Sequence, residues 1–212
     1  MQKRLISIAM LASIILLVGC NADIVGQDNS KLLAPLTPTY TGAIPNPWYL
    51  YTDGLNTGAW LKGLDFYSGG SFTGTPTINL SDPTMPDDGT YCMRFAVGAQ
   101  TTGWWCGMIL LQGAGFPASN AAPGVDIRAG NFTKCVFRAR ALQGNRTVTF
   151  QTLDATDNIT VTVTSAWQTY TIPFSVTTDM AAVKQFFSPA FGDGIGTLTP
   201  IDLFIDDLRY QQ

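Results

Sequence analysis

The 212-residue chain contains no histidine and no glutamate; all 15 of its acidic residues are aspartates. The missing imidazole excludes Ser–His–Asp and Cys–His catalysis and histidine-based zinc sites. Glycosidic cleavage needs two carboxyl groups facing each other at about 5–10 Å across a cleft. Here most aspartates fall in turns such as "SDPTMPDDG" or in Asp-Gly and Asp-Asn steps, a poor basis for such a pair. Charge of either sign is scarce, at 13% of residues, and no basic run occurs, so nucleic acid is not an expected partner. Long helical stripes are missing too. The best helical candidate, Thr178 to Phe187 ("TDMAAVKQFF"), would make a turn or two. Internal repeats and low-complexity tracts are absent.

The start of the chain stands apart. "MQKR" carries two positive charges, and the uncharged apolar run "LISIAMLASIILLV" follows it. A run of that length behind a basic start reads as a signal peptide rather than a membrane span. It ends in "LVGC", which resembles the lipobox of bacterial lipoproteins. That resemblance implies a signal peptide over 1–19, cleavage before Cys20 and acylation there, with several acyl chains holding the protein to a membrane. Loss of Lys3 and Arg4 leaves ten basic residues against 15 acidic ones, a net charge of −5. Residues 20–47 contain Pro35, Pro38, Pro45 and Pro47 among polar residues with no periodicity, and read as a flexible tether.

From Trp48 to Gln212 the chain breaks into short runs of β type, split by Gly, Pro, Asn and Asp. The runs are "WYLYT", "TYCMRFAVG", "GWWCGMILL", "KCVFRARA", "RTVTFQTL", "NITVTVT", "WQTYTIPFS" and "IDLFIDDLRY", with weaker ones in "GLDFYS" and "TPTINL". Many short alternating strands at close spacing predict an all-β sandwich or barrel.

Alternation assigns the faces. Tyr91, Met93, Phe95 and Val97 share one side; Cys92, Arg94 and Ala96 share the other. A turn at "GAQTTG" would pair this strand with the next and set Cys106 inward and Trp105 outward. Cys135, Phe137 and Ala139 point inward, Arg138 and Arg140 outward; Val148 and Phe150 point inward, Gln151 outward. If these strands share a sheet, Arg94, Trp105, Arg138, Arg140 and Gln151 line one surface. Guanidinium forks, a flat ring and an amide are the parts that recognise sugars. The same residues also suit a solvated face on which Arg stems cover apolar surface. Trp48, Trp60, Trp104 and Trp167 are read as packing residues. Beyond Cys20 the three remaining cysteines allow at most one internal disulfide, and the facing leaves Cys106–Cys135 as the compatible pair and disfavours Cys92–Cys106.

Several stretches taken together, "NPWYLYTDG", "GWWCGMILL", "CVFRARA", "AWQTYTIPFS" and "IDLFIDDLRY", resemble the carbohydrate-binding-module-like (galactose-binding-like) jelly rolls of secreted bacterial glycan-degrading systems and lipoproteins. The resemblance runs from about Pro45 to Gln212. It implies a single jelly-roll β-sandwich that binds a polysaccharide without catalysing a reaction, on a lipid-anchored protein of the bacterial envelope. It also implies that the first and last strands run together and that Asp206 and Asp207 of the last, with Asp53 of "YTDG", hold a structural calcium ion. The departure is that many relatives open on an acidic "FEDG"-type stretch, whereas this chain offers "YTDG". The alternative for Asp206 is an ion pair with Arg209 or Arg94. The alternative for the whole protein is an envelope lipoprotein of the same fold that holds structure or binds protein and has no sugar site.

Overall fold

The computed structural model describes residues 44–55, 63–69, 76–99, 105–111, 124–192 and 200–212. The expected signal peptide, Cys20, most of the tether, Trp60 and Trp104 lie outside the described residues. Eleven strands are present among them: β1 (Trp48–Tyr51), β2 (Gly63–Gly69), β3 (Thr77–Asp82), β4 (Cys92–Val97), β5 (Trp105–Leu111), β6 (Lys134–Ala141), β7 (Arg146–Thr152), β8 (Asp157–Val163), β9 (Gln168–Pro173), β10 (Gln185–Phe191) and β11 (Ile201–Gln211). One 3-10 turn, Arg128–Gly130, precedes β6.

The strands form two antiparallel sheets. Sheet A has the order β3-β4-β11-β6-β9, with β1 also paired to β11; sheet B has the order β2-β5-β10-β7-β8. The chain passes repeatedly from one sheet to the other, so the core is closed by residues far apart in sequence. This is the jelly-roll sandwich that the alternation and the resemblance implied. The first and last strands do run together, Trp48 opposite Tyr210 and Tyr49 opposite Arg209. Just before β1, Ile44 packs against the core and Asn46 is bonded to the Gly130 carbonyl (3.4 Å) and the Gln212 amide (3.3 Å).

Inward-facing aromatics from the two sheets meet between the layers. Phe137 of β6 lies 4.5 Å from Phe150 of β7 and 4.9 Å from Phe187 of β10, centroid to centroid. Phe95 of β4 stacks on Phe191 of β10 at 5.4 Å. Trp48 is buried against Phe132 and Phe186, as a packing tryptophan should be. The buried Thr152 hydroxyl is bonded to the Phe186 carbonyl and to the Tyr210 hydroxyl, so the polar ends of this layer are satisfied.

Two expectations are corrected, and the cysteine pairing left open by the sequence is answered. β4 and β5 do not form a hairpin: β4 pairs with β3 and β11 in sheet A, β5 with β2 and β10 in sheet B. Alternation fixes which side of a strand faces the core but not which strand lies beside it. The segment expected to start a short helix runs instead through turns into β10, a central strand that carries Pro189 opposite Phe150. Cys92, Cys106 and Cys135 are free buried thiols, so the facing of Cys106 and Cys135 into the core does not produce a bridge. Burial pushes the Cys92 and Cys106 thiols up to about 12, which keeps them protonated and unreactive.

Candidate functional site

The residues singled out from the sequence divide between two surfaces on opposite sides of the sandwich. Arg94, Arg138 and Arg140 stand on the outer face of sheet A; Trp105 and Gln151 stand on the outer face of sheet B. The single surface expected from alternation is therefore two.

On sheet A the register sets Arg94, Phe204 and Arg140 in one row across β4, β11 and β6, with Asp206 opposite Arg138 beside it. Carboxylates claim two of the three guanidiniums. Arg94 donates from Nε to Asp202 at 2.8 Å, donates from Nη2 to the same carboxylate, and stands 3.6 Å from Asp82. Arg138 donates from Nη2 to Asp87 at 2.9 Å. Arg140 lies beside the buried Phe204, its Nε buried without an acceptor. The segment after β3 folds over this face and is stapled there. The Asp206 carboxylate accepts the backbone N–H groups of Asp87 (3.1 Å), Asp88 (3.4 Å) and its own neighbour Asp207 (2.8 Å). Asp53 accepts those of Thr90 (2.6 Å) and Tyr91 (2.9 Å). Gly89 sits between them at φ +69°, and a Cβ there would fall 2.4 Å from the Asp53 carboxylate, so both backbone and space demand glycine.

Each carboxylate responds to its surroundings. Burial raises the Asp206 carboxyl above the ordinary range, opposed by its N–H donors. The N–H groups of Tyr91 and then Thr90 hold Asp53 below it. Burial pushes the Asp82 carboxyl up, but the Thr84 hydroxyl and amide and the nearby Arg94 outweigh it and leave Asp82 lowered.

These contacts explain why two acids stand in an apolar strand, and they do not fit a calcium cage. Asp206 is only 2% exposed and is met by three N–H donors, which satisfy an anion and would repel a cation. Asp207 sits at a bulge with φ 49° and pairs with Arg209. Asp53 is committed to the Thr90–Tyr91 backbone. Among the described residues no group of three or more Cys or Asp side chains is gathered for a metal. The alternative partners for Asp206, Arg209 and Arg94, are engaged by Asp207 and by Asp202 with Asp82. The bulge also turns Leu208 into the core, so it does not share the side of Phe204 and Asp206 as strict alternation required.

Sheet B presents a different surface. Gly107 on β5 is flanked by Tyr67 on β2 and Ala190 on β10, and Ala190 is followed by Thr149 on β7 and Thr160 on β8. A second row sets Ser188 opposite Gln151 and Gln151 opposite Asn158. Trp105 stands at the β5 end, 47% exposed, its ring 5.7 Å from that of Tyr67 at 42°. The Tyr67 hydroxyl is bonded to Ser188 Oγ at 3.0 Å, and Thr149 to Thr160 at 2.9 Å. None of these side chains is charged. At about 4.8 Å between strands, the first row extends about 19 Å across the five strands and the second about 10 Å across three. Two adjoining rings followed by hydroxyls and amides can stack on the apolar face of a sugar and bond its hydroxyls. Tyr67, Gly107 and Ser188 were not legible as site residues. Tyr67 lies in one of the weaker β-type runs, and Ser188 lies in β10 just past the end of the helical candidate Thr178 to Phe187, in a stretch that no β-type run covers.

No protein-family model matches the chain, and no curated protein matches it. Among solved structures, similarity is found to a carbohydrate-binding module of the β-sandwich superfamily described for promiscuous specificity (12% identity, 79% of this chain, 63% of that one, TM-score 0.46). A family 30 carbohydrate-binding module of a Clostridium thermocellum cellulosomal cellulase is also similar (16% identity, 77% of this chain, 96% of that one, TM-score 0.45). So is a family 29 carbohydrate-binding module complexed with mannohexaose (14% identity, 76% of this chain, 88% of that one, TM-score 0.38). At such scores none of these likenesses identifies a face, a ligand or a shared binding residue.

Proposed function

We propose that the protein is a non-catalytic carbohydrate-binding protein that takes an uncharged polysaccharide on the outer face of sheet B. The observation that carries this reading is the exposed Trp105 beside Tyr67 on a face whose described side chains are all uncharged. A large exposed indole lowers the free energy of the protein only when something apolar covers it. A pyranose ring does so, and Gln151, Asn158, Thr149 and Thr160 lie beyond it for the hydroxyls of the same chain. The uncharged character of the described side chains on this face favours a neutral glycan over an acidic one, and the net negative charge of the chain is a poor match to nucleic acid. Anchoring is part of the reading: acylated Cys20 would hold the protein to a bacterial envelope membrane, and residues 20–47 would give the sandwich reach.

Affinity electrophoresis through gels containing neutral and acidic polysaccharides tests this. Retardation by at least one neutral polymer, abolished in Trp105→Ala, is the expected result; unretarded migration in every gel overturns the reading. A specific observation supports the second reading for sheet A: Arg94 and Arg138 bind the protein's own carboxylates rather than facing a free groove. That face is accordingly assigned a structural role. Radiolabelled palmitate incorporation, lost in Cys20→Ser, tests the anchor.

A further inference from the structure

We propose that Gly107 and Ser188 are positioning residues of the sheet-B platform: the missing side chain at 107 lets the Tyr67 ring lie flat across β5, and the Ser188 hydroxyl fixes it there. The inference rests on the carbohydrate-binding reading above and names what sets the tilt of its stacking surface. Tyr67 belongs to β2 and Ser188 to β10, and β5 lies between them. With strands about 4.8 Å apart, a side chain that reaches from β2 to a hydroxyl on β10 must run across the face of β5 rather than stand up from the sheet. Gly107 is the residue directly beside Tyr67 in the register. A Cβ at 107 would lie 2.3 Å from the Tyr67 hydroxyl oxygen and 2.4 Å from the ring carbon that bears it. Any larger residue therefore lifts the ring off the sheet. Backbone conformation does not impose the glycine, since Gly107 is not among the residues with positive φ. The other close neighbour of that Cβ is the Pro189 carbonyl at 2.7 Å, which belongs to the adjoining strand and would have to shift as well.

The consequence is a platform with one ring laid along the sheet and a second, Trp105, tilted 42° to it. Beyond the flat ring the same row continues over Ala190 to Thr149 and Thr160, all short side chains. A chain stacked on Tyr67 is thereby led across the strands, towards Gln151 and Asn158, rather than along them.

The test is affinity electrophoresis of the full chain in gels containing hydroxyethyl cellulose or galactomannan, with melting temperatures recorded alongside. Gly107→Ala is expected to weaken retention about tenfold, the scale of a lost aromatic contact. Tyr67→Phe and Ser188→Ala each remove the same hydrogen bond and are expected to weaken retention by about the same factor, with no further loss when combined. If Gly107→Ala does not fold, the latter cycle decides. Retention of the folded Gly107→Ala protein equal to that of the wild type, or additive losses in the Tyr67→Phe/Ser188→Ala pair, overturns this inference and leaves the carbohydrate reading standing. A wild type retained by neither polymer overturns both.

Discussion

At the scale of single residues, Asp206 and Asp53 are the same side chain used in opposite electrostatic settings. Burial raises the Asp206 carboxyl, so the folded state holds its proton more tightly, and ionising it costs stability as pH climbs from the unfolded value of about 3.9 through the raised one. Asp53 is lowered by the Tyr91 and Thr90 N–H groups; its contribution is full above the unfolded value and is lost as pH falls through the lowered one. Urea unfolding across pH 2–6 should therefore show a loss of stability at low pH that is shallower in Asp53→Ala. Replacing Asp206 by Ala strands the part-buried N–H groups of Asp87, Asp88 and Asp207 and should cost about 1–3 kcal/mol at pH 7, whereas Asp206→Asn, which keeps an acceptor oxygen, should lose less than half of that. Because N–H donors rather than a cation meet these acids, a chelator should leave the melting temperature unchanged; a fall of several degrees would restore calcium to this face. The sequence posed the question of two acids in an apolar run, but not its answer: the donors come from residues 87 and 88, about 120 positions away, and no local pattern marks them.

Individual strands were far more legible than their partners. Alternation marked ten of the eleven strands and put Phe95, Phe137 and Phe150 in the core, where the structure has them. β10 escaped because Pro189 lacks an N–H and is normally kept out of central strands, and because two adjacent phenylalanines break the period of two. Phe186 and Phe187 are both buried, an arrangement allowed by the bulge between Gln185 and Phe187. The bulge at Asp207 does the same for Leu208. Such irregularities set a residue's face and leave no trace in composition. The loops between strands share one device: Asp53, Asp82, Asp154, Asp157 and Asp206 all accept backbone N–H groups from connecting segments or strand ends. The short side chain of aspartate suits that task, and the role accounts for these five of the chain's 15 acids. Where the sheets meet, Phe137 touches Phe150 and Phe187 of the opposite layer; Phe137→Ala should cost about 3–5 kcal/mol in chemical denaturation.

Across the whole molecule, the arginine cluster of Arg94, Arg138 and Arg140 and the exposed indole of Trp105 stand on different sheets. Arg94 and Arg138 of sheet A are held by aspartates and an overlying loop, while the outer face of sheet B offers rings, amides and hydroxyls among its described side chains. Pattern alone could not separate Arg94, Arg138 and Arg140 from Trp105 and Gln151, since all five are outward and only strand pairing divides them. Arg94→Ala should therefore lower the melting temperature by releasing Asp202 and the buried Asp82, with glycan retention unchanged. The most direct test of the account compares Trp105→Ala with Arg140→Ala in gels containing neutral polysaccharide. Trp105→Ala should migrate as if no polymer were present while Arg140→Ala is retarded like the wild type; retardation lost in Arg140→Ala and kept in Trp105→Ala would move the glycan to sheet A.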